Sequence, residues 1–121
     1  MLKTPEKPPI YTATTVWLGW TLDRTANLPK SHRYTFGERV DRLTLDSLER
    51  VIEAIYAGPE GKTLPLRALN MNLEKLRVLW RLIQARGWIS QQQLLFVNQA
   101  IDEIGRMTGG WLRQVEMRNR P

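Results

Sequence analysis

The side chains best suited to chemistry crowd the stretch "NLPKSHRYTFGER", residues 27–39, where Lys30, Arg33 and Arg39 flank His32, the only histidine in the chain. An imidazole can move a proton near neutral pH, and the adjacent Ser31 raises the question of a base-activated nucleophile. Adjacency along the chain does not by itself set a hydroxyl on a ring nitrogen. The same residue types also suit anion binding, because three cations and an imidazole follow a proline that interrupts the preceding segment. The stretch is therefore a hinge made by Pro29 that carries a candidate basic grip.

Other chemistries are excluded residue by residue. Gly58-Pro59-Glu60-Gly61-Lys62-Thr63 imitates a phosphate loop, but position 56 is Tyr where that motif needs glycine, and a helical pattern precedes it where a strand is required. It is expected to be a turn between helices. One histidine and no cysteine leave only carboxylates for a metal, and these are interleaved with arginines along helices. Glu38, Asp41, Glu49 and Glu53 are expected to pair with Arg39, Arg42 and Arg50. Small helical ribonuclease domains carry an arginine nearer to their histidine than Arg24, which lies eight residues before His32. No catalytic residue, metal or cofactor is expected, and the chain is expected not to be an enzyme.

The charge is the informative bulk property. The 121 residues carry a formal net charge of +6, and 13 of the 18 basic side chains are arginine. Such a surface attracts polyanions, because neutralising phosphates releases condensed counterions. No apolar run approaches the roughly 18 residues of a membrane span. The N-terminal stretch lacks the apolar core of a signal peptide, and the absence of cysteine is compatible with a reducing compartment. These features set the expectation of a cytoplasmic protein with no membrane contact.

Four helical segments must position the basic residues. The first covers residues 11–27, with Val16, Trp17, Trp20 and Leu22 as its bulky apolar residues and an imperfect period. The second covers residues 32–57, with Ser31 as a plausible N-cap; Phe36, Val40, Leu43, Ser47, Val51 and Ala54 step by threes and fours. The third covers residues 64–87, carrying Leu66, Leu69, Leu73, Leu76, Trp80 and Ile83. The fourth covers residues 90–117, with Ser90 as N-cap and a heptad through Leu94, Val97, Ile101, Ile104, Thr108, Trp111 and Val115. Heptads joined by short links predict an all-α fold, an antiparallel up-down four-helix bundle over residues 11–118. Residues 1–10 then form a Pro-rich N-terminal tail and residues 119–121 a C-terminal tail.

Leu45, Leu79, Trp88, Leu95, Phe96 and Leu112 fall off the main stripes. They line a subunit interface or pack under loops and at bundle ends. On the third helix Arg67, Asn70, Arg77 and Arg81 gather beside the core stripe, with Glu74 among them. Arg77 and Arg81 are four apart and can reach one extended target, either RNA phosphates or an acidic partner surface. The alternative is a solvated helix face. Arg106 and Arg113 add charge along the last helix, where Arg106 has Asp102 and Glu103 within pairing distance. Gly105 and Gly109 are expected to serve close packing, and Trp111 the core or an interface.

"LPKSHRYTFGERV" at residues 28–40, "LRVLWRLI" at 76–83 and "EIGRMTGGWLRQV" at 103–115 resemble the accessory variability determinant (Avd) proteins of diversity-generating retroelements. Those belong to a wider group of small four-helix bundles that includes the ribosomal-RNA intervening-sequence proteins. The resemblance covers all but the N-terminal tail. It implies a non-enzymatic homopentameric barrel with a basic surface. That assembly would bind the retroelement's reverse transcriptase and act with it on template RNA during mutagenic cDNA synthesis. It also implies that Arg77 and Arg81, by their position in the third helix, bind a partner. The site expected from the residues and the resemblance together comprises Lys30, His32, Arg33, Arg67, Arg77, Arg81, Arg106 and Arg113. The competing expectation is an intervening-sequence-type RNA- or protein-binding bundle with no reverse-transcriptase partner.

Overall fold

The computed structural model describes residues 7–121. Within them the chain forms four helices and no strand: α1 (Pro9–Thr25), α2 (Glu38–Tyr56), α3 (Thr63–Ala85) and α4 (Gln91–Arg118). Short helical turns at Lys30–His32, Arg33–Gly37 and Pro59–Gly61 join them. Consecutive helices pack side by side, and α4 returns to α1 along a looser seam. The long Leu/Trp heptad of α3 fills the centre, with Leu66, Leu69, Leu73, Leu76, Trp80 and Ile83 all buried. Val97, Ile101 and Ile104 of α4 and Val40 and Val51 of α2 close on it.

Helix α1 departs from the sequence expectation in start and in face. It begins at Pro9, whose missing N–H costs nothing in the first turn, and Ile10 already packs in the core. Residues 1–6 of the expected tail lie outside the described residues. The buried face steps through Ile10, Thr14, Trp17, Thr21 and Thr25, whereas Val16 and Leu22 are exposed. Threonine can occupy a core stripe when its hydroxyl is satisfied locally, as where Thr14 Oγ1 donates to Ile10 O at 2.7 Å.

The second helix also differs from its expected start. Residues 30–37 coil first as a 3₁₀ turn and then as a wide π turn, and regular α geometry begins only at Glu38. Ser31 sits inside the 3₁₀ turn and caps nothing; the position before α2 is Gly37, with no side-chain cap bond. Leu28, almost wholly buried, anchors the turn, and its carbonyl accepts from Arg33 Nε at 2.9 Å. Ser90 does cap α4: Gln93 N donates to Ser90 Oγ at 3.0 Å while Ser90 N donates to Gln93 Oε1 at 2.8 Å.

The α3–α4 link shows why Trp88 lies where it does. Gly87 adopts a positive φ of 76°. Its N–H bonds Gln84 O at 2.8 Å, and Trp88 N bonds Ile83 O at 3.2 Å, a Schellman closure of α3. That closure turns the chain sharply and sets the indole of Trp88 across the end of the bundle. At the opposite end Lys62 Nζ reaches back to Ala54 O at 2.6 Å and Ile55 O at 3.3 Å, closing α2. Burial there pushes its ammonium pKa below the ordinary lysine range.

Candidate nucleic-acid interface

Four of the eight expected residues, Lys30, His32, Arg33 and Arg81, lie toward the end of the bundle where α1 stops, α3 stops and α4 starts. His32, the last residue of the 3₁₀ turn, stacks on Trp88 with ring centroids 4.3 Å apart. Phe36 meets Trp88 edge-on at 5.6 Å, and the Arg86 guanidinium lies 5.9 Å from the same ring. A π turn in this place shifts the backbone register and is a common device for aiming a side chain at a functional site. His32 and Trp88 are both half-buried, while Lys30, Arg33, Arg81 and Arg86 are exposed. Arg24 adds a further guanidinium, 5.9 Å from the Trp20 ring.

What distinguishes this end is that its cations are left unpaired: of the carboxylates that flank the hinge, Glu38 takes Arg42 and Asp41 takes Thr25. Residues 24–37 contain no Asp or Glu, and neither do residues 75–101. Among the described residues Lys30, Arg33, Arg81 and Arg86 form no ion pair with a carboxylate. Their charge is therefore not cancelled locally, and the summed field at this end is positive.

The other expected residues are placed differently. Arg77 is held by two carboxylates, Glu74 at 3.3 Å and Asp102, whose Oδ1 accepts from Nη1. Gly105 lies beside this crossing from α3 to α4: a Cβ there would make ordinary contact with Arg77 Nη2 at 3.8 Å and Leu73 Cδ1 at 3.7 Å. Arg106 is engaged by Glu103, whose carboxyl it holds below the usual range. Arg67 donates to Glu116 at 2.8 Å. The groove of about 520 Å³ lined by Asn70, Glu74, Arg77, Asp102 and Arg106 is thus mixed in charge rather than basic. Arg113 is exposed but lies 22 residues beyond Gln91, about 33 Å along α4. It is not brought together with His32.

Three further expectations are corrected. Asp41 pairs with no arginine; its Oδ1 accepts from Thr25 Oγ1 at 2.7 Å, and desolvation raises its pKa despite that bond. Glu38 with Arg42 and Glu53 with Arg50 pair as expected, and Arg50 also takes Asp46, but Glu49 and Arg39 form no ion pair among the described residues. Gly109 receives no close neighbour, since a Cβ there would meet nothing within 4 Å. Sequence reasoning passed over Arg86 and left Trp88 as an unassigned off-stripe residue. The available signal was the run of residues 75–101, which has no acid and carries Lys75, Arg77, Arg81 and Arg86 in its first half, together with the equally acid-free hinge at residues 24–37.

Among the described residues no helix is long and apolar enough to cross a membrane. Nor is any group of three or more His, Cys, Asp or Glu placed to hold a metal ion. A family model described as bAvd-like matches residues 13–115. No curated protein and no solved structure matches the chain.

Proposed function

Because this chain belongs to the bAvd-like family and is an accessory protein of the diversity-generating retroelement type, we propose that it joins the retroelement's reverse transcriptase to the template RNA. The polymerase chemistry belongs to the partner, in keeping with a family that is non-catalytic in general. RNA is held at this end of the bundle, where the hinge between α1 and α2 meets the close of α3. Lys30, Arg33, Arg81 and Arg86 supply charge for the phosphates, and the His32–Trp88 stack supplies aromatic surface beside them. The observation that carries this reading is that these four cations are unneutralised while Arg67, Arg77 and Arg106 are each engaged by carboxylates. Arg77, with Glu74 and Asp102, forms a shaped polar surface better suited to a protein partner than to a polyanion. The protein works as a homo-oligomer, in the family's manner a pentameric barrel, and supports mutagenic cDNA synthesis.

The test is co-purification with the reverse transcriptase encoded beside its gene, with and without template RNA, at two salt concentrations. A complex that forms with both partners and loses RNA steeply at high salt is the expected result. Failure to retain either partner under any condition overturns the proposal and moves the chain toward an intervening-sequence-type role.

A further inference from the structure

Helices α2 and α3 each carry a second apolar stripe that faces away from the core. On α3, Leu64, Ala68, Met71, Lys75, Val78 and Leu82 step 4, 3, 4, 3 and 4, a heptad seam on the solvent side. Its four large apolar residues are between 47% and 79% exposed. On α2, Leu45, Glu49, Ile52 and Tyr56 step 4, 3 and 4, with the apolar members 38% to 59% exposed. Seven large exposed apolar side chains at heptad spacing are more than scattered surface residues account for. A groove of about 360 Å³, lined by Arg39, Leu43, Lys75, Val78 and Leu79, runs beside the α3 stripe.

Each stripe is interrupted by one charge, and the two charges are opposite. Glu49 interrupts the α2 stripe and Lys75 the α3 stripe; both are exposed, and neither forms an ion pair among the described residues. We propose that the occupant of the α3 stripe is the α2 stripe of a second copy of this chain, with Glu49 of one copy opposite Lys75 of the next. Copies related by rotation about an axis along the bundle bring α2 and α3 together antiparallel, as they already run within one chain. The register that opposes Glu49 and Lys75 then sets Leu45 against Val78, Ile52 against Met71, and the large Tyr56 against the small Ala68. A single buried charge pair in an apolar seam fixes register by penalising every slipped alternative. Two different stripes on one chain make a head-to-tail contact, which repeats from copy to copy and closes into a ring when the rotation permits.

The inference rests on the self-assembly proposed above and is independent of RNA binding. The full chain is compared with Glu49→Lys, Lys75→Glu and the double reversal by sedimentation equilibrium, with circular dichroism reporting helix content. The wild type is expected at a multiple of the chain mass. Each single reversal should weaken association at least tenfold at unchanged helicity, and the double reversal should restore it. A monomeric wild type overturns self-assembly itself. An assembled wild type whose single variants remain assembled, or a double variant that does not recover, overturns this surface while leaving assembly standing.

Discussion

Two sets of three substitutions remove the same formal charge and are expected to act very differently on RNA. The first, Lys30→Ala with Arg81→Ala and Arg86→Ala, strips cations that no carboxylate engages. The second, Arg67→Ala with Arg77→Ala and Arg106→Ala, strips cations engaged by Glu116, Asp102 and Glu103. For single-stranded nucleic acid each neutralised phosphate contributes about 0.7 to the slope of log K against log salt, so the first set should lower that slope by about 2. Carried from 1 M to 0.15 M salt, that slope difference amounts to about a 50-fold loss of affinity at the lower salt. The second set should leave the slope nearly unchanged, because those guanidiniums release few counterions when already neutralised. Fluorescence anisotropy with a labelled single-stranded RNA, titrated at several salt concentrations, reads both slopes. Equal slope losses would show that net charge alone governs binding and would refute the localisation to this end. A larger loss from the second set would return the site to the middle of α3.

Three further outcomes test the structural account. Gly109→Ala should stabilise the protein by up to about 1 kcal/mol in urea unfolding, because helix propensity improves and the new methyl meets nothing within 4 Å; a loss would reveal another surface packed there. Trp80→Ala should cost about 3–5 kcal/mol, since the ring is fully buried and Trp20 packs 5.4 Å away; a cost under about 1 kcal/mol would contradict a close-packed centre. For Asp41, desolvation raises the folded pKa, so the native state holds its proton more tightly than the unfolded chain. Stability is therefore lost as pH rises from just above 3.8 through the raised value. Asp41→Asn keeps an acceptor for Thr25 and should be the more stable protein at pH 7, the difference fading as pH falls toward 4; a variant weaker at pH 7 would reverse the sign.

Legibility in the sequence followed the chemistry of each stripe. In α3 and α4 the core positions are large and apolar at 3.5-residue spacing, so the period locates them and Ser90 marks the start of α4. In α1 three of the five buried positions are threonine, and exposed Val16 and Leu22 carry the hydrophobicity instead. Trp17 alone of the bulky residues marks the buried face, while Val16 and Leu22 point the apolar signal elsewhere, and threonine does not read as a core residue even where its hydroxyl bonds the backbone, as Thr14 does. The 3₁₀ and π turns at residues 30–37 leave no period at all. They are set by Pro29, by buried Leu28 and by the aromatic contact with Trp88, a residue 56 positions from His32. Local pattern cannot report a contact of that separation.

The candidate site was half visible for a related reason. Composition locates arginines but does not say which are already engaged, and engagement decides what remains for a ligand. Arg77 and Arg81 look equivalent on a helical projection. In the bundle α4 brings Asp102 to one of them and no carboxylate to the other. The facing residue of α4 decides between them, because Asp102 stands within reach of the Arg77 guanidinium. By drawing Arg77 into an ion pair, Asp102 leaves the unpaired arginines of α3 and its C-terminal turn to the end of the bundle.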